Sequence, residues 1–210
     1  MDTAPHTVGD VMTRTVVAVG RETLFKDVVT LLERWQVTAA PVLEGDGRVV
    51  GVVSEADLLP KEEFRDSVPD RVVQLRRLDD LAKAGALTAG ELMSAPAVTV
   101  HTGTTLSEAA RIMARRQVKR LFVIDGEGRL EGVVSRADLL TVFLRADADL
   151  AEEVRRTLAD DGIRVEVADG IVTLTGTLGD SATVSAAGRR ARAVEGVVDV
   201  CCRLLPPSAS

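Results

Sequence analysis

Two short runs place a hydroxyl and a carboxylate at a fixed spacing: Ser54-Glu55-Ala56-Asp57 and Ser135-Arg136-Ala137-Asp138. Each follows an apolar Val-Val pair and leads into a Leu-Leu pair, so each marks a strand giving way to a helix. Ser-x-x-Asp at such a junction is a capping-box pattern, in which the two side chains and the first amides of the helix satisfy one another. The same atoms suit a ligand. An ionised carboxylate only accepts hydrogen bonds, and a hydroxyl beside free amides at a helix start suits an anion. Spacing alone favours the cap, and the recurrence does not discriminate, because each copy needs a capped helix. An Asp beside an anion also repels it unless a cation is near. Lys119, Arg120 and Arg136 accompany the second run, where the first has Thr38, Ala39 and Glu55, so the Ser135/Asp138 run is expected to hold the better anion site.

Other chemistries find little support. No nucleophile with a neighbouring base can be picked out, so an enzyme is not expected. His6 and His101 are the only imidazoles, and Cys201 and Cys202 are adjacent, which is neither a redox pair nor a metal knuckle. The two thiols are expected to be packed and reduced, and no metal or required cofactor is expected. Trp35, Met12, Met93 and Met113 read as core residues. With a net charge of −6 and 2% aromatics, the chain lacks both the basic excess and the stacking platforms of a nucleic-acid binder. The first residues lack the apolar centre of a secretory signal, and no apolar run nears the roughly 20 residues that span a bilayer. The expected location is the cytoplasm.

The elements that must position the two runs also recur. GVVSEADLL at 51–59 returns as GVVSRADLL at 132–140, a spacing of 81 residues, which points to a duplicated unit. Ahead of the first lie a short extended run to Val19, an amphipathic helix through Leu24, Val28, Leu31, Leu32 and Trp35 with Thr23 as N-cap, and a hairpin turning at 44–47. The second copy repeats this order, with Val98 and Val100, a helix through Leu106, Ala109, Ala110 and Met113, and a hairpin turning at 125–128. Aligning Thr23 with Thr105 needs 82 residues, which places one extra residue before the second helix. Residues 60–89 read as a charged surface connector, in part helical from Arg71, with the Arg76-Arg77 pair on a solvated face. From about Asp149 a different pattern follows: a helix at Leu150, Val154 and Leu158, an alternating strand at Ile163, Val165 and Val167, an Asp169-Gly170 turn, a strand to Leu178, a helix over 181–194 and a last strand over 197–204.

Taken together, the Val-Met-Thr at 11–13, its Glu-Leu-Met-Ser partner at 91–94, the Ala-Pro-Val-Leu and Leu-Phe-Val-Ile strands and the two GVVSxADLL runs resemble a tandem pair of cystathionine-β-synthase (CBS) domains, a Bateman module, over residues 8–143. The Leu-Pro usual before the family's second strand appears as Ala40-Pro41 and Leu121-Phe122. Residues 150–204, through GIVTLTG at 170–176 and VEGVVDV at 194–200, resemble a BON domain. The resemblance implies a mixed α/β (α+β) chain: two β-α-β-β-α units forming a pseudo-two-fold module, then a small α-β-β-α-β domain. The expected boundaries are 1–60, a connector over 61–89, 90–146, 147–205 and a disordered tail over 206–210.

For function, the resemblance implies a non-catalytic sensor whose paired clefts bind an adenosine-containing ligand such as AMP, ADP, ATP or S-adenosylmethionine. Carried over, Ser54 and Asp57 would serve one cleft and Ser135 and Asp138 the other, contacting ribose and phosphate, with Lys119, Arg120 and Arg136 as accompanying cations. The BON-like unit implies contact with a partner protein or a phospholipid surface. Arg189, Arg190 and Arg192 could touch anionic lipid, yet the segment from Asp147 onward is net acidic, the wrong sign for strong attraction. A homodimer through the CBS pair is expected, and a ligand-free dimerisation scaffold is the alternative.

Overall fold

The periodicities become two compact units in a computed structural model, one over residues 7–136 and the other over residues 137–210 with 1–6. The structure describes residues 6–65, 77–160, 162–177 and 181–205. Residues 71–76 of the connector, Leu178 and the tail lie outside these.

The first unit runs α1 (Val8–Val11), β1 (Val19–Gly20), α2 (Phe25–Trp35), β2 (Ala39–Glu44), β3 (Arg48–Ser54), α3 (Glu55–Glu63), α4 (Leu78–Gly85), α5 (Ala89–Leu92), β4 (Thr99–Val100), α6 (Leu106–Arg116), β5 (Arg120–Ile124) and β6 (Leu130–Ser135). A further helix, α7 (Arg136–Leu140), follows. Each copy forms a three-stranded sheet in sequence order, the first two strands parallel and the last two antiparallel. Helices α2 and α6 each span 11 residues and end on Gln36 and Gln117, both left-handed.

Corresponding helices begin at 8 and 89, 25 and 106, and 55 and 136, so one offset of 81 serves throughout and no extra residue precedes α6. Thr23 misleads because it is not the N-cap: its Oγ1 accepts the Gly20 amide at 3.1 Å, and Leu24 occupies the cap position that Thr105 holds in the second copy.

The copies exchange their leading segments. Helix α1 precedes the first copy in sequence, but the Val8 and Gly9 amides donate to the Thr104 and Thr102 carbonyls, at 2.8 and 2.9 Å, and Thr13 bridges Val133 on β6. Helix α5 precedes the second copy, but Ala89 and Gly90 donate to Thr23 and Arg21, each at 2.8 Å, and Ser94 bridges Val52 on β3. Ala86, Ala89 and Leu92 accordingly pack into one core with Val28, Val42 and Val53 of the first copy. The repeated glycines make room for this exchange, Gly51 lying against Met93 and Gly132 against Met12. Met12 and Met93 therefore pack, as their apolar setting suggests, but each against the other copy.

The second unit holds a 3-10 turn (Thr141–Leu144), α8 (Asp147–Leu158), β7 (Ile163–Ala168), β8 (Ile171–Thr177), α9 (Ser181–Arg192) and β9 (Asp199–Leu205). Strand β7 pairs antiparallel and β9 parallel with β8. Asp169 and Gly170 both take positive φ in the two-residue turn, as a twisted hairpin requires, and the Asp147 carboxylate accepts both their amides at 2.8–2.9 Å. Leu150, Val154, Leu158, Val165, Val172, Leu174, Ala191 and Val200 form the core.

Two expectations about packing fail. Trp35 is 54% exposed, because it stands at the end of α2 beyond the stripe anchored by Val28 and Leu32. Cys201 and Cys202 are both exposed thiols: β9 is an edge strand that borders only β8, Cys201 alternates away from the buried Val200 and Leu204, and Cys202 shares their face yet stays exposed. Among the described residues no helix is long and apolar enough to cross a membrane, and no group of three or more His, Cys, Asp or Glu could hold a metal ion.

Candidate ligand cleft

Strand β3 ends on Ser54 in extended geometry, and α3 starts at the next residue. The Ser54 amide donates to Asp57 Oδ2 at 2.8 Å and the Ser54 hydroxyl to the same oxygen at 2.6 Å, so the capping role is present. The Glu55 amide donates to the Thr38 carbonyl at 3.1 Å. The amides of residues 54 and 55 are thus engaged within the protein, which takes them away from any anion.

Asp57 is 7% exposed, and the only polar or charged residue in the buried class among the described residues. A buried carboxylate has to be hydrogen-bonded and paired to be tolerated. Its second oxygen, Oδ1, accepts from the Lys83 ammonium and from the Ser94 hydroxyl, the latter at 3.1 Å, while Lys83 also donates to Ser94 Oγ at 3.1 Å. Lys83 comes from the connector helix α4, and Ser94 from the segment that the second copy lends to the first. Neither was found from the sequence. Lys83 sits 26 positions from Asp57 in a stretch that reads as solvated surface, and the only hint is that a buried Asp needs a cation.

Ser54 and Asp57 open onto a cleft of about 580 Å³. Its apolar walls are Val52, Ala56, Leu59, Pro96, Ala97, Val98, Val118 and Phe122, and its polar groups include Ser54, Asp57, Ser94, Lys119 and Arg120. One copy therefore supplies the Ser-x-x-Asp run and the other the cations. Arg120 is held in place by bonds from its guanidinium to Thr38 Oγ1 at 2.6 Å and the Ala39 carbonyl at 3.3 Å.

This differs from the grouping expected above, in which Lys119 and Arg120 accompany Ser135 and Asp138: the fold sets them across from Ser54 and Asp57. The reason is that the two copies face each other here, Arg120 of one bonding Thr38 and Ala39 of the other, so the cleft takes walls from both repeats. Ser135, Arg136 and Asp138 do not line this cleft. Arg136 is exposed, and its guanidinium donates to the Val118 carbonyl at 3.1 Å. A smaller groove of about 340 Å³ between α2 and α3, walled by Val29, Leu32, Val37 and Leu58, contains none of the predicted site residues. In the second unit Arg192 pairs with Asp199 at 3.5 Å and donates to the Val200 carbonyl at 3.2 Å.

The cleft has the composition of a small-molecule site: mostly apolar walls, a few convergent polar groups, and a volume within the roughly 300–1,000 Å³ usual for ligands. Comparison with known proteins gives it a setting. Residues 8–61 and 89–145 match the CBS domain family, and residues 146–204 match the BON domain family. The protein MJ1426 of Methanocaldococcus jannaschii is 27% identical over 65% of this chain and 90% of its own length. The chloroplastic CBS domain-containing protein CBSX2 of Arabidopsis thaliana is 30% identical over 67% of this chain and 64% of its own length. The structure of CBSX2 in complex with AMP superposes with a TM-score of 0.58 at 31% identity, covering 66% of this chain and 97% of that one.

Proposed function

Because this chain belongs to the CBS domain family, with two CBS segments in tandem and a BON domain behind them, we propose that it is a non-catalytic regulatory protein of the cytoplasm whose CBS pair binds an adenosine-containing ligand. AMP, ADP and ATP fit the proposal best, because Lys119 and Arg120 bring positive charge to one wall of the cleft. The observation that carries the reading is the cleft itself, where apolar walls suited to a base lie next to the hydroxyls of Thr38, Ser54 and Ser94, the carboxylates of Glu55 and Asp57, and the cations Lys119 and Arg120, drawn from both copies. The AMP complex of CBSX2, at 31% identity, supports it. The BON domain is proposed to pass the bound state to a partner protein or surface.

Thermal melting against AMP, ADP, ATP and S-adenosylmethionine tests this directly. A ligand that binds only the folded state adds about 2.7 kcal/mol at a hundredfold excess over its dissociation constant. For a chain of this size that raises Tm by about 5–11 °C. If none of the four moves Tm at millimolar concentration, the sensor reading fails.

One observation favours the second reading, a ligand-free dimerisation scaffold: Val29, Trp35 and Leu59 on α2 and α3 are apolar and exposed. Sedimentation of the protein with Trp35→Ala and Leu59→Ser checks that surface. A monomeric natural chain removes this reading, and a dimer that persists in the double variant removes this surface from it.

A further inference from the structure

We propose that the connector helix α4 is a ligand-responsive latch, in which Lys83 fills the acceptor positions on Asp57 that the vicinal hydroxyls of a ribose would use, so that filling the cleft releases α4 from α3. The proposal rests on the nucleotide reading above. An ionised carboxylate offers about four acceptor positions, and Asp57 uses them on four donors: the Ser54 amide and hydroxyl on Oδ2, and the Lys83 ammonium and Ser94 hydroxyl on Oδ1. A diol cannot add to this set. It can only replace members of it.

The donors are unequal in what their departure costs. The two from Ser54 belong to the cap of α3, and losing them strands an amide at a helix start. The Ser94 hydroxyl belongs to the cleft lining and stays beside whatever fills it. Lys83 carries a compact charge on a flexible stem, its side chain is already 19% exposed, and its ammonium can move into water. It is also the only donor of the four outside the cleft lining. Lys83 is therefore the partner that leaves, with Lys119 and Arg120 remaining as the cations of the cleft.

Its departure matters because α4 is held on α3 by half-buried contacts and by the core residue Ala86 at its end, with polar ties supplying the rest. None of its eight residues is fully buried, so polar ties carry a share of its attachment to α3: Lys83 to Asp57, Lys61 Nζ to the Ala84 carbonyl at 3.0 Å, and Arg77 with Glu63 at the far end. An element with few buried contacts opens locally at small cost. Removing the Lys83 tie thus converts occupancy of the cleft into detachment of the connector, with no large movement of either sheet.

Hydrogen exchange of the full chain with and without saturating AMP tests the latch. Amides of α4 should exchange about ten- to a hundredfold faster with AMP, the factor carried by one charged hydrogen bond, while amides of β3 and α3 slow. Lys83→Met without ligand should show the same acceleration in α4 and should bind AMP more tightly, because the competitor is gone. Protection around the cleft with unchanged or slower exchange in α4 overturns the latch and leaves the nucleotide reading intact, and so does weaker AMP binding by Lys83→Met. No protection anywhere overturns both. The comparison on the natural chain does not depend on any variant folding.

Discussion

Replacing Gly132 by Ala tests the exchange of leading segments at its tightest point. A Cβ on Gly132 would lie 2.7 Å from Met12 Sδ and 3.0 Å from the Thr13 carbonyl oxygen, and one on Gly51 would lie 2.5, 2.9 and 3.1 Å from Met93 Sδ, Cγ and Cβ. Non-bonded carbon atoms prefer about 3.5–4.0 Å, so both substitutions overpack. The sites differ in what can yield. Met93 is a side chain and can change rotamer. The Thr13 carbonyl is backbone, fixed by a reciprocal pair of 2.9 Å bonds with Val133. Overpacking costs about 1–3 kcal/mol, which puts Gly132→Ala near the top of that range and Gly51→Ala near the bottom. Urea unfolding of both variants, alone and with Met12→Ala or Met93→Ala, gives two double-mutant cycles. Truncating a half-buried methionine has a cost of its own, but the coupling term isolates the clash. The Gly51/Met93 pair should couple by about 1 kcal/mol or more, its clash being relieved when the methionine is shortened. The Gly132/Met12 pair should be relieved only in part, because Thr13 stays. A Gly132→Ala cost below about 0.5 kcal/mol, the level of an ordinary surface change, or no coupling in either cycle, would refute the exchanged packing.

Further outcomes follow from the cleft and its supports. Arg120→Ala should weaken AMP binding by about ten- to a hundredfold, the weight of a charged hydrogen bond, and Lys119→Ala by less because that side chain is exposed; Arg136→Ala, outside this cleft, should leave the constant unchanged in titration calorimetry. The Glu91 carboxyl is held below its ordinary 4.5 by the Leu87 and Thr88 amides, which donate to it at 2.7 and 3.2 Å. A depressed carboxyl stabilises the fold above its unfolded value and loses that contribution as pH falls through the lowered one, so Glu91→Gln should reduce the drop in urea midpoint between about pH 5 and pH 3.

The duplication and the order of elements in both units were legible because they rest on local pattern. Val28 and Leu32 share a helix face, Val165 and Val167 alternate, and Asp169-Gly170 is a turn whatever surrounds it. The Ser54/Asp57 capping box was legible for the same reason. What the pattern does not carry is the partner. Nothing local to Val8 says that its amide meets Thr104, and nothing local to Lys83 says that it neutralises a carboxylate in another element. The grouping of Lys119 and Arg120 depended on that missing information, since a cleft with walls from two repeats joins residues far apart in sequence. Trp35 and Cys202 show a different limit: an apolar residue at the end of a helical stripe or on an outer strand meets the period of burial and still remains exposed.

The exchange of α1 and α5 also decides what a single repeat is. A chain cut after α3 would hold β1, α2, β2 and β3 but not Ala86, Ala89 and Leu92, which close their core, and its own α1 would have no second sheet to bridge. Two such fragments could complete each other by trading those segments, each filling the gap in its twin. The tandem chain is therefore a pair of interlocked halves written as one polypeptide and so fixed at unit stoichiometry. Neither repeat is a detachable domain, and whatever the cleft binds acts on both halves at once.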